Sequence, residues 1–179
     1  MIRLLLALAA AALCAGAALA QTPSAKAPAA KAPARPAAQP FDARDPASLV
    51  ALLADLDAKA EIGGRSEDGV VVRVTSPAGA FHGQFAGCDR QGRACAAVQF
   101  DAPAQRTATL AQINAFNQSS LTCRIFQDKA GKPHMLYSTL LFPADSRDEM
   151  LGHIGAWQGC LATFAAFLSD PTGYLASAP

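Results

Sequence analysis

The apolar positions beyond residue 40 change period several times, and each change marks an element. Leu49, Leu52, Leu53, Leu56 and Ala60 recur at helical spacing behind Asp45-Pro46, a cap followed by a proline at the first helical position. Gly63-Gly64 ends that run, with a short strand around 60–62. GVVVRVTS (69–76) is β-branched and lies between Asp68-Gly69 and Pro77. AFHGQFAG (80–87) follows a short turn, and ACAAVQFDA (94–102) follows a polar one. The three segments predict an antiparallel meander.

Thr109-x-x-Gln112 is a capping box that opens a short helix carrying Leu110, Ile113 and Phe116. Residues 121–142 predict a hairpin turning at Asp128-Lys-Ala-Gly131, with Leu121, Cys123 and Ile125 on one face. Ser146-x-x-Glu149 is a second capping box, and the helix behind it runs to about Ser169, before Asp170-Pro171. Met150, Ile154, Trp157, Leu161, Phe164 and Leu168 form its stripe. So few helices cover one face of a sheet, which predicts an α+β domain: an antiparallel sheet of five or six strands packed against helices. The expected core is Leu53, Leu56, Val72, Val74, Phe85, Val98, Phe100, Ile113, Phe116, Ile125, Leu140, Ile154, Trp157, Leu161 and Phe164.

The first forty residues are of another kind. Residues 1–20 carry Arg3, an apolar run and an Ala-Leu-Ala site before Gln21, the pattern of a cleaved export signal. Residues 21–40 are almost entirely Ala and Pro with Lys26, Lys31 and Arg35, a composition with nothing to bury and a linker's signature. Residues 41–179 are one domain's worth of chain. They carry 11 Lys/Arg against 14 Asp/Glu, which leaves no footprint for nucleic acid. The expected location is the periplasm or the secreted space.

Removing the signal leaves Cys88, Cys95, Cys123 and Cys160, an even number in an exported chain. Cys88 and Cys95 flank the polar turn DRQGRA at the facing ends of two strands, within reach of a disulfide. Cys123 on a strand and Cys160 beside the Trp157 stripe face each other across the sheet–helix boundary, so a second bridge is geometrically reasonable; buried free thiols are the alternative there. His82, His134 and His153 each lack a partner motif, and Asp55 and Asp57 point apart on a helix. Asn114 and Asn117 are expected to bond backbone at a helix end. The chain shows no phosphate loop, zinc pair or nucleophile elbow, so no catalytic residue, metal or cofactor is assigned.

Residues 150–168 contain no Asp, Glu, Lys or Arg, nineteen residues that approach the length of a membrane span. His153, Gln158, Thr163 and three glycines argue against a bilayer, and no stable span is expected after signal removal. Opposite the Trp157 stripe lie Gly152, Gly155, Gly159, Ala162 and Ala166, a small-residue face that fits a docking surface for a protein client or a second copy, or the underside of the first helix.

Taken in order, GCDRQGRAC followed by VQF, then INAFN, CRIFQDKAGKP and WQGCLATFAAFL resemble the YbjN domain family over roughly 46–170. That family is described as bacterial sensory transduction regulators. The resemblance implies a fold similar to type III secretion chaperones, and regulation or chaperone-like protein binding rather than catalysis. Phe116 stands where the family has Trp, and FPADSRD replaces a Gly-rich acidic turn. The expectation is an exported, non-catalytic interaction module. A thiol-based exported enzyme, or a small-ligand binder using the cleft between the sheet and the last helix, is the alternative.

Overall fold

A computed structural model describes residues 40–177. The signal segment and nearly all of the linker lie outside the described residues. Among the described residues four helices and six strands follow in the order α1 (Pro46–Ala54), β1 (Lys59–Arg65), β2 (Gly69–Ser76), β3 (Gly79–Ala86), β4 (Ala97–Pro103), α2 (Leu110–Ser119), β5 (Arg124–Gln127), β6 (Pro133–Leu140), α3 (Arg147–Ser169) and α4 (Pro171–Ser177). The sheet is antiparallel throughout, ordered β1-β2-β3-β4-β6-β5. The fold is thus α+β, with β6 inserted between the meander and β5.

Alternation decides which face of the sheet is covered. Val70, Val72 and Val74 of β2, Phe81 and Phe85 of β3, and Val98 and Phe100 of β4 are buried. The residues between them, such as Arg73, His82 and Gln84, are exposed. Trp157 of α3 sits at the centre of the covered side, its ring 5.5 Å from Phe81 and 5.8 Å from Phe100. Leu49 of α1 reaches the same surface and, with Phe100, packs beside Gly83. At the far end Phe116 of α2, Phe167 of α3 and Tyr174 of α4 form a second aromatic cluster.

Both capping boxes are present, Thr109 with Gln112 and Ser146 with Glu149. Asp45 caps α1 through Ala47 N–H, with Pro46 behind it. The end of α1 departs from the sequence pattern. The helix stops at Ala54, because Ala58 N donates to Leu53 O at 3.0 Å and Asp57 N to Ala54 O at 3.2 Å, a Schellman-type exit. Asp57 adopts φ 57, taking the left-handed place that glycine usually fills. Leu56 is therefore off the helix and 39% exposed, outside the expected core, and Asp55 and Asp57 belong to the exit turn. Gly63-Gly64, expected to end the first run, lies inside β1, where the ladder shifts register between Ile62 and Gly64.

The β5–β6 hairpin brings two corrections. Leu140 is 62% exposed and Leu141 is buried at 4% in its place. Met135 sets the parity of β6 by facing the helices, so every even-numbered residue faces out. Leu121 is 93% exposed and precedes β5, which begins only at Arg124; it shares no face with Cys123 and Ile125. Leu110 is exposed at the start of α2, and Leu161 is half-buried on α3. As expected, α3 ends at Ser169 before Asp170-Pro171; Pro171 then opens a further short helix, α4.

Candidate functional site

All four cysteines of the domain are paired. Cys88 bonds Cys95 with the Cα atoms 3.8 Å apart, and Cys123 bonds Cys160 at 5.6 Å. Neither cysteine of the first pair is in a strand: both lie in the loop joining β3 to β4. Backbone bonds moor this loop on two sides, Cys88 N to Asp68 O and Cys95 N to Arg44 O. The second pair ties the entry of β5 to the middle of α3, and both of its cysteines are buried. Disulfides of this kind belong to chains that mature under oxidising conditions, as in the extracellular or periplasmic space.

The expected partner face is open. Gly152, Gly155, Gly159, Ala162 and Ala166 are all exposed on α3, and a side chain added at any of the three glycines would meet nothing within 4 Å. The first helix does not cover this face. The opposite stripe is buried through Met150, Ile154, Trp157, Cys160, Phe164, Phe167 and Leu168. By length and composition α3 could cross a membrane; in this fold its bulky side is covered by the sheet, α2 and α4.

Between the two sides of α3 lies a groove, at the cleft between the sheet and this helix on which the small-ligand alternative rests. Its upper part, a hollow of about 330 Å³, is walled by Leu53, Leu56, Phe81, Ile154 and Trp157 and carries no charged residue. Its lower part, about 460 Å³, runs on between the β2–β3 turn, the end of β4 and Phe164 and Leu168 of α3, with Arg106 as its one charged residue. Ala78 and Leu161 border both parts. Trp157 is fully buried and its Nε1 has no hydrogen-bond partner. The signal for the upper hollow was Leu56, an apolar residue that falls outside the helix once the chain turns at Asp57.

Two histidines have partners that spacing could not show. His134 Nδ1 lies 2.7 Å from Asp101 Oδ1, and its Nε2 lies 3.6 Å from Asp128 Oδ2. Asp128 is held below the usual carboxylate range, first by the Lys132 backbone N–H, then by Ala130 N–H and by His134. His153 Nδ1 lies 2.7 Å from the Tyr137 hydroxyl and its Nε2 3.4 Å from Thr139 Oγ1, which fastens α3 to β6. Burial raises the Tyr137 hydroxyl above its ordinary value. His82 is exposed on the open face of the sheet. Asn117 spans elements rather than closing its own helix: its side-chain amide donates to Ile125 O and accepts from Ile125 N, both at 2.9 Å. Among the described residues no group of three His, Cys, Asp or Glu side chains is placed to hold a metal. No protein-family model matches this chain, and neither does any curated protein.

Proposed function

We propose that this chain is an exported, non-catalytic interaction module of the YbjN-like, chaperone-like type, held in the periplasm behind an Ala/Pro-rich linker. It engages a protein client, or a second copy of itself, through the outward face of α3. The observation that carries the reading is that this face is both charge-free and bare. A surface helix ordinarily turns charged residues to water. Here residues 150–168 have none, and the outward positions are the smallest side chains available. Small residues let another backbone come close, and the absent charges remove the cost of desolvating them. The two disulfides support the compartment, since they suit an oxidising space. They also support a role built on surfaces, because each of the four sulfurs is committed to the architecture.

The test is Gly155→Lys in the full chain, followed by light scattering, thermal unfolding and cross-linking in the cell envelope from a photoreactive residue at Gly159. The expected result is a cross-linked adduct at Gly159 that Gly155→Lys abolishes. An adduct with a second copy brings a fall in solution mass. No adduct, together with unchanged mass and thermal midpoint, overturns the reading.

A further inference from the structure

We propose that the groove beside α3 binds one long-chain carboxylate amphiphile, a free fatty acid, with its hydrocarbon tail along the apolar trough and its carboxylate at Arg106. The groove lies at a different angle around α3 from the small-residue face, so this proposal stands apart from the docking role.

Three features of the groove define the ligand. The first is polarity. The upper hollow has no charged residue and offers only Ser76 and Gln158 as polar side chains; Leu56 is open at its rim and the buried Leu53, Phe81 and Trp157 back its wall, an apolar lining that suits a saturated chain. Leu56 is the informative member, a large apolar side chain held partly open to water at the mouth of this hollow. The second is length. The groove follows α3 from Ile154 to Ser169, roughly 20 Å at 1.5 Å per residue. One acyl chain reaches about half of a bilayer's ~30 Å core, so a single chain and its headgroup fit end to end. The combined volume also lies in the range of small-molecule sites. The third is charge. Arg106 is the one charged residue along either part, and it stands at the end away from Trp157. A planar guanidinium at the mouth of an uncharged trough is the complement of a single carboxylate on an apolar tail.

The chain carries its own reporter. Trp157 is its single tryptophan and backs the wall of the upper hollow. An ω-brominated lauric acid, added to the full chain below its micelle concentration, places a heavy atom at the tail end, where bromine quenches at short range the emission of an indole lying just behind the wall. The expected result is saturable quenching at one molecule per chain. Arg106→Gln then weakens binding about two- to fivefold, the upper part of the range of an exposed ion pair, and leaves binding of the uncharged bromo-alcohol unchanged. Ala78→Phe, at an exposed turn position bordering both hollows, removes quenching without changing the thermal midpoint; Ala165→Phe does the same from the helix side. Absence of saturable quenching overturns the proposal, as does quenching that survives both phenylalanine variants. Equal loss for acid and alcohol in Arg106→Gln, or no loss for either, overturns the assigned orientation and with it the carboxylate. A dimeric mass that Ala78→Phe reduces to the monomer, with no quenching, gives the groove to a second copy instead.

Discussion

The β3–β4 and β5–β6 connections contain the same five-residue turn, and they are secured by different chemistry. In the first, Asp89 N donates to Arg93 O, Gly92 N donates to Asp89 O, and Asp89 Oδ1 accepts from Gln91 N and Arg93 N. In the second, Asp128 N donates to Lys132 O, Gly131 N donates to Asp128 O, and Asp128 Oδ1 accepts from Ala130 N and Lys132 N. Gly92 and Gly131 take φ 71 and 78, which only the glycine in Asp-x-x-Gly supplies without strain. Around the first turn a disulfide closes a ring. Behind the second stands His134, between Asp101 and Asp128. One turn is fastened covalently, the other by hydrogen bonds and charge. The backbone conformation comes from the local sequence in both, and what differs is how each turn responds to reductant and to acid.

The comparison can be broken at several points. The largest effect lies outside both turns: Cys123→Ala with Cys160→Ala opens the longer loop and costs about 4 kcal/mol in the chain-entropy model. Cys88→Ala with Cys95→Ala opens the shorter one and costs about 2.5 kcal/mol by the same model. Denaturant unfolding of the full chain checks both, and a reversed order would show that the mooring of the Cys88 loop at Asp68 and Arg44 matters more than its ring. Next comes the aspartate. Asp128→Ala is expected to lower stability as its two backbone donors lose their acceptor, and Asp89→Ala to lower it less while the disulfide is intact. In the reduced-loop background Asp89→Ala rises to match Asp128→Ala, and a double-mutant cycle with no coupling would refute the shared role.

The smallest effect is the pH response. Asp128 titrates below its unfolded value, so the stability it contributes is present above about pH 4 and is lost as pH falls through the folded value. Asp42, lowered by Arg44, and Glu149, lowered by Ser146, act in the same direction. Asp128→Asn keeps the acceptor oxygen and removes the titration. Its thermal midpoint is expected to fall less steeply than that of the parent chain below about pH 4. An unchanged slope would take Asp128 out of the acid response.

Where local chemistry dictates structure, the sequence could be read directly. The capping boxes at Thr109 and Ser146, the meander, the Asp128 turn and the buried stripe of α3 follow from spacing and residue type alone. The misreadings have physical causes. Asp57 in a left-handed conformation ends α1 without a glycine to announce it, and Leu56 and the upper hollow were hidden for that reason. Leu140 and Leu141 are adjacent, and only counting parity from Met135 tells which one faces the helices. The His134–Asp101 pair depends on β4 and β6 becoming neighbours, and the His153–Tyr137 pair on α3 packing against β6; sequence separation hides both contacts. The small-residue face of α3 could be named from its helical spacing. That α1 leaves it bare follows from α1 packing against β1 and β2 instead, which spacing does not show. The groove is a property of how α3, the β2–β3 turn and the end of β4 come together, and no one segment contains it.

Inserting β6 between β4 and β5 also orders events in time. The first four strands join neighbour to neighbour through short connections, so their pairing closes small loops. The seam between β4 and β6 joins Ala97 to Leu140 and Pro103 to His134, across all of α2 and β5. Closing that loop costs more entropy before any contact repays it. We therefore expect amide protection in β2 and β3 to precede that in β6 during refolding with the disulfides intact; simultaneous protection would place the seam in the folding nucleus instead.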